Sequence, residues 1–251
     1  MNKPKAVFDA YSRYYDLLYM DKDYAAETEY IVKLLLKYNL IDGDLLELGS
    51  GTGRHASLLV DRGYSVHGIE RSKEMLQRTE KKKGFSCELG DICKIEKGRT
   101  YDAVLSLFHV VSYLTSNEQL NDVFQRTAKH LDRGGVFIFD VWYTPAVYVQ
   151  QPTVKIKRMA DKEFSITRIA EPKVYENENR VDVHYSIFCQ HLKSGITELL
   201  EETHSMRHFS LPEIDLLSSI HGFKRISAEE FLTAASPSEE TWGVCVTLQK
   251  I

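Results

Sequence analysis

The stretch from Leu45 to Arg71, LLELGSGTGRHASLLVDRGYSVHGIER, constrains the fold more than any other part of this chain. Leu45, Leu46 and Leu48 form a short apolar run of the kind found in strands buried on both faces. Gly49, Gly51 and Gly53 follow at alternate positions. Arg54 to Asp61 reads as a helix, with Ala56, Leu59 and Val60 on one stripe and Gly63 past its end. Tyr64 to Ile69 is a second strand, and Glu70 stands at its carboxyl end. The order strand, glycine loop, helix, strand, acid is that of a nucleotide-binding βαβ unit, whose acid accepts hydrogen bonds from ribose hydroxyls.

Two details narrow the ligand. A dinucleotide fingerprint has glycines at positions one, three and six of the loop. Here they fall at one, three and five, and position six is Arg54, too bulky for close helix–strand packing. Glu47 stands two residues before the first glycine. A carboxylate there repels a pyrophosphate and suits a cationic group such as an amino-acid ammonium. Both details count against the main alternative, an NAD-dependent oxidoreductase.

The segment Glu47-Leu48-Gly49-Ser50-Gly51-Thr52-Gly53 resembles motif I of the class I S-adenosylmethionine (SAM) methyltransferases, with Glu70 in the place of their ribose acid. The resemblance runs through residues 10–140. It implies an α/β, Rossmann-like class I methyltransferase fold: a seven-stranded, mostly parallel sheet closed by an antiparallel C-terminal hairpin. It also implies that Asp91, after the strand Phe85 to Leu89, accepts from the adenine amino group while the Ile92 N–H donates to the ring. The plainer reading of Asp91 is a turn residue.

The rest of the chain is compatible with one such domain. It has 251 residues and a net charge of −4, without a basic stripe that would suit a nucleic acid. Cys87, Cys93, Cys189 and Cys245 are scattered with no CxxC pair, which fits reduced thiols and argues against zinc or a disulfide framework. No apolar run suits a signal peptide or a membrane span. The expectation is a cytoplasmic protein that binds neither metal, membrane nor nucleic acid.

Tyr11, Tyr14, Tyr15 and Tyr19 crowd the N-terminus, either as a packed helix or as a lid over a ligand. Asp23 is placed to cap a helix carrying Ile31, Leu34, Leu35 and Tyr38. Ser72 caps a helix expected over Lys73 to Lys82, with Met75 in its first turn either pointing back towards the ligand or serving as a core methionine. Tyr101 to Leu107 is the fourth strand, and Phe108-His109-Val110-Val111-Ser112-Tyr113 follows at the sheet edge that carries the glycine loop. Ser116 to Gln119 is a capping box. The helix after it, through Leu131, is expected to stop at Gly134-Gly135, before a fifth strand over Val136 to Val141. From Thr153 to Ser210 the period becomes that of long antiparallel strands, a meander separate from the parallel core. The domains are therefore 1–145 with 211–251 as core, and 146–210 as an antiparallel β insertion that covers the substrate or builds a dimer.

A closer likeness covers nearly the whole chain. Tyr15-Asp16-Leu17 with Tyr19, Asp23-Tyr24-Ala25-Ala26-Glu27, Ser106-Leu107-Phe108 and Tyr113-Leu114 resemble the N-methyltransferases of nucleotide-linked amino sugars, which are typically homodimers. The β insertion and the closing Trp242-Gly243-Val244 fit the same likeness. It implies SAM as cofactor, a small polar acceptor methylated on N or O, and a homodimer. The candidate cofactor residues are Tyr15, Glu47, Gly49, Gly51, Gly53, Glu70, Arg71, Met75, Asp91, Ile92, Leu107 and Phe108. Tyr19, Tyr24, Tyr113 and Trp142 are the candidates on the acceptor side. The likeness supplies no counterpart for His109, which is either a base or a polar residue bonded under the cofactor. His184, His204, Arg207 and His208 either meet a phosphate or sugar or form a solvated or interface face, the second being the plainer reading of each. A non-catalytic SAM-binding protein is the remaining alternative, and it predicts a degraded loop or a missing ribose acid, neither of which is present.

Overall fold

The computed structural model describes residues 18–19 and 21–251. In chain order the elements are α1 (Tyr24–Lys37), β1 (Gly43–Leu48), α2 (Arg54–Val60), β2 (Tyr64–Glu70), α3 (Lys73–Gln77), β3 (Phe85–Leu89) and β4 (Tyr101–Ser106). A 3-10 turn (Val110–Tyr113), α4 (Asn117–Lys129), β5 (Leu131–Tyr143) and α5 (Thr144–Gln150) follow. The antiparallel strands β6 (Lys155–Ala160), β7 (Phe164–Tyr175), β8 (Arg180–His191) and β9 (Thr197–Phe209) come next. The chain closes with α6 (Leu211–Ile220), β10 (Phe223–Glu230) and β11 (Gly243–Lys250).

The core sheet runs β3-β2-β1-β4-β5-β11-β10, and only β11 runs against the direction of the other strands. Successive residues of its strands feed different faces. Leu45, Val66, Leu105 and Ile138 pack with Ile31, Leu34 and Leu35 of α1. Leu46, Val104, Phe137 and Phe139 pack with Leu120, Val123 and Phe124 of α4 and Ile214 of α6. Both faces are covered, which is why the strands read as apolar runs rather than alternations. Phe124 is the centre of one face, edge-on to Phe137, Phe139 and Phe223.

Asp23 caps α1, Ser72 caps α3, and Ser116 with Gln119 forms a complete capping box on α4. Three expectations need correction. First, α3 ends at Gln77 rather than Lys82, because Lys82 is drawn away to the Ser57 carbonyl at 2.8 Å and to Asp61 at 2.6 Å. Second, α4 ends at Lys129 with His130 as its cap, and β5 has already begun at Leu131. Gly134 and Gly135 sit in an irregularity of that strand, between Leu131 paired with Tyr101 and Val136 paired with Ala103. Third, the insertion is not separate from the core sheet. The last residues of β9 pair parallel with the end of β5, Trp142 with His208 and Tyr143 with Phe209. The order therefore continues β5-β9-β8-β7-β6. α5 was not foreseen; its Pro145 lies in the first helical turn, where no N–H is needed.

Candidate active site

The carboxyl ends of β1, β2 and β4, the end of β5 and the inner face of the insertion surround one cavity of about 380 Å³. Its floor is the β1–α2 loop. Gly49 is held at φ +74°, and a Cβ there would lie 2.7 Å from the Val110 side chain, so only glycine fits. Gly51 is at φ +57° with open space where its Cβ would be. Its N–H donates to Glu70 Oε2 at 2.8 Å, and the other carboxylate oxygen accepts from the Ser72 N–H at 2.7 Å. Gly53 does not line the cavity: a Cβ there would meet the Phe85 ring at 2.4 Å, so this glycine serves helix–strand packing.

Glu47 is also absent from the lining. It is 2% exposed, and its Oε2 has no partner among the described residues. Burial, and then the charge of Glu70, raises its carboxyl to about 8. An unpaired buried carboxyl behind a glycine loop is a group prepared for a cation.

Glu70, Arg71 and Met75 line the cavity together, and Asp91 with Ile92 borders it from the loop after β3. Asp91 is also the turn residue that its plainer reading suggests, since Oδ1 accepts from the Cys93 N–H at 3.0 Å. Leu107, Phe108 and His109 form the opposite rim. Tyr19, Tyr113 and Trp142 also line the cavity, and Tyr24 does so beside the start of α2, its ring 5.1 Å from that of His55. Tyr15 lies outside the described residues. Tyr19 meets the Phe108 ring edge-on at 5.2 Å. Lys22 lies 3.9 Å from the centroid of that ring and pairs with Glu27, which also receives His55 at 2.7 Å. Burial alone would raise Glu27, but these two partners hold it below the usual carboxylate range.

Sequence reasoning missed two contributors, Asp140 and Tyr185, and set His204 on a solvated or interface face in preference to the ligand. Asp140, on β5, is buried against His109, whose Nδ1 lies 2.6 Å from Oδ2. Its burial would raise its carboxyl, and the opposing influence of His109 lowers it. Tyr185 and His204 reach the cavity from β8 and β9. His204 is 3% exposed, which corrects the expectation of a solvated face for that residue. The other residues grouped with it lie elsewhere. His208 is buried against Thr144, Arg207 pairs with Glu213, and His184 sits beside Thr203 on the outer face. The period-two pattern of β8 put Tyr185 on the side that proves to be the inner face; for Asp140 no local signal existed.

This arrangement fits SAM: an unpaired acid behind the glycine loop, a carboxylate at the end of β2, and a cavity on the sheet edge where open α/β sheets take ligands. Residues 45–135 match the family model described as a methyltransferase domain, and the chain is a SAM-dependent methyltransferase. More particularly, it is similar to the dTDP-3-amino-3,4,6-trideoxy-alpha-D-glucopyranose N,N-dimethyltransferase of Streptomyces venezuelae. The two are 27% identical over 210 residues, covering 82% of each chain. The corresponding dTDP-3-amino-3,6-dideoxy-alpha-D-glucopyranose enzyme of Streptomyces fradiae is 27% identical over 203 residues, 78% of this chain and 76% of that one. In fold it matches Streptomyces venezuelae DesVI, with a TM-score of 0.79 at 22% identity over 94% of this chain and 97% of that one. The NAD alternative is set aside. Among the described residues no group of side chains could hold a metal, and no helix is long and apolar enough to cross a membrane.

Proposed function

We propose that the chain methylates the amine of a nucleotide-linked amino sugar, and that the residues named above divide into a cofactor half and an acceptor half. The observation that carries this reading is the lining of the cavity. It brings the glycine loop, His109, Tyr113, Tyr185 and His204 to one space. The two Streptomyces relatives are named for that chemistry.

When bound, SAM supplies a sulfonium-activated methyl group. The protein's part is to hold the acceptor nitrogen in line with it and to exclude water. Glu47 faces the amino-acid ammonium, Glu70 accepts from the ribose, and Asp91 with the Ile92 N–H reads the adenine. Met75 and Leu107 supply apolar walls. Phe108 and Tyr19 close over the reacting groups, and Arg71 meets an anionic part of either ligand. Tyr24, Tyr113 and Trp142 bound the acceptor. The amine must be neutral at attack, and His109 takes its proton.

A second copy of the chain covers the outer face of the insertion in this reading. Phe188 and Leu199 are paired across β8 and β9 and are 38% and 51% exposed, with Ile156 at 54% nearby. The cytoplasm, where SAM and sugar nucleotides are available, is the setting, and no nucleic acid takes part. Calorimetric titration with SAM, S-adenosylhomocysteine and NAD tests the cofactor half. Mass spectrometry of thymidine-diphosphate amino sugars incubated with enzyme and SAM tests the acceptor half. Addition of one or two methyl groups is the expected result, and SAM binding without methylation of any amino sugar would refute the acceptor assignment.

A further inference from the structure

Asp140 makes three contacts with a single residue. Its carboxylate, 1% exposed, accepts the backbone N–H of His109 at 3.2 Å on Oδ1 and 3.1 Å on Oδ2. The His109 Nδ1 lies 2.6 Å from Oδ2 as a charge contact rather than an aligned hydrogen bond, and among the described residues that buried nitrogen has no hydrogen-bond partner. His109 and Phe108 both adopt left-handed backbone, at φ +60° and +66°. Two consecutive residues with side chains persist there only when their surroundings fix them. The same carboxylate thus receives the N–H exposed by the turn and faces the ring that the turn presents to the cavity.

The ring has two nitrogens, and in the neutral form one is a donor and the other an acceptor. A carboxylate only accepts, so it draws the proton to Nδ1. We propose that Asp140 is a positioning residue, which holds His109 as the Nδ1–H tautomer and leaves Nε2 bare towards the cavity to accept a proton from the methyl acceptor. This rests on the reading of His109 as the base. In the step, the acceptor ammonium gives one proton to Nε2. The freed lone pair forms the N–C bond as the C–S bond breaks, and the electron pair of that bond stays on sulfur. The new secondary ammonium keeps the remaining protons, and the imidazolium returns its own to solvent before a second round.

Asp140→Asn separates positioning from mere support of the turn. The amide oxygen still accepts the His109 N–H, but the NH₂ group then faces Nδ1, which must lose its proton to Nε2. His109 would present a donor where the reaction needs an acceptor. The experiment is ¹⁵N spectroscopy of histidine-labelled full-length protein saturated with SAM, with His109→Ala identifying the resonances, at a pH where the ring is neutral. The expected result is an Nδ1–H ring in the wild type and an Nε2–H ring in Asp140→Asn. An Nε2–H ring in the wild type overturns the proposal even if the variant fails to fold. In turnover, Asp140→Asn is expected to lose kcat by about a hundredfold, within the range for a general base, with KM for the acceptor and the SAM affinity changed less than about twofold. His109→Ala should lose as much, and the double variant no more. Losses that multiply, or a His109→Ala variant with full turnover, overturn it. Failure to methylate any amino sugar refutes the proposed acceptor instead, and the spectra still decide the tautomer.

Discussion

The hydroxyl of Tyr113, on the turn after β4, lies 2.8 Å from Nδ1 of His204 on β9. One belongs to the core and the other to the insertion, and both face the cavity. The other ring nitrogen of His204 is 3.2 Å from Glu202. This wall of the cavity is therefore a polar chain shared between the two parts of the molecule.

His204→Ala breaks this chain far from the cofactor half. We expect KM for the acceptor to rise by about fivefold to tenfold, the equivalent of about 1 kcal/mol for one hydrogen bond, with SAM affinity within about twofold of wild type. Tyr113→Phe should do the same. Steady-state kinetics beside calorimetry checks both, and an equal loss of SAM affinity would place this wall in the cofactor half.

Glu70→Ala removes a carboxylate that accepts the Gly51 and Ser72 N–H groups and is assigned to the ribose. SAM should bind more weakly by about 1–3 kcal/mol, and the Tm should fall because two backbone donors lose their partner. Asp91→Ala, at a half-exposed side chain, should cost about 1 kcal/mol of SAM affinity with little change in Tm. Unchanged affinity in both variants would remove the ribose and adenine assignments.

Glu47 gives a pH signature. Its carboxyl is raised from 4.5 to about 8, by burial first and the charge of Glu70 second. The folded chain keeps a proton that the unfolded chain releases, so this contribution to stability is full below pH 4.5 and is lost as pH rises to about 8. Glu47→Gln stays neutral, and its Tm relative to wild type should climb steadily across that window. A cation brought beside Glu47 favours the ionised form, so SAM binding near neutrality should expel protons. Calorimetric heats in phosphate and Tris buffers then differ for the wild type and agree for the variant. Equal wild-type heats would deny Glu47 its cation.

Gly53→Ala and Gly51→Ala should fail in different ways. The first drives a methyl group into the Phe85 ring, 2.4 Å from the Cβ position, at φ +77°. A stability loss of about 2–3 kcal/mol is expected, from clash and left-handed strain together. The second meets open space, so its stability loss should be about 1 kcal/mol and its main effect a weaker SAM affinity. Chemical denaturation with SAM titration separates the two.

Much of the fold was legible because its signals are local. LLEL, the three glycines and the helix caps each depend on neighbours within a few residues. Contacts between distant segments were not legible. Lys82 leaves its expected helix for Ser57, a pull invisible in a run of three lysines. Asp140 follows an apolar run inside β5, and only the pairing of that strand beside β4 brings His109 to it. Gly53 carries the same letter as Gly49 and Gly51, yet its neighbour is a phenylalanine on β3 rather than the cavity.

The insertion joins the core sheet through two residue pairs, Trp142 with His208 and Tyr143 with Phe209. So narrow a seam lets the acceptor-facing sheet be exchanged as a cassette. Substitutions along β6 to β9 need conserve that junction, the Tyr113 contact, the Arg207–Glu213 pair and the packing of Ile166 and Ile187 with Met75 for the cofactor half to keep its shape. In such an architecture, taste for new acceptors and grip on the methyl donor can diversify on independent evolutionary clocks.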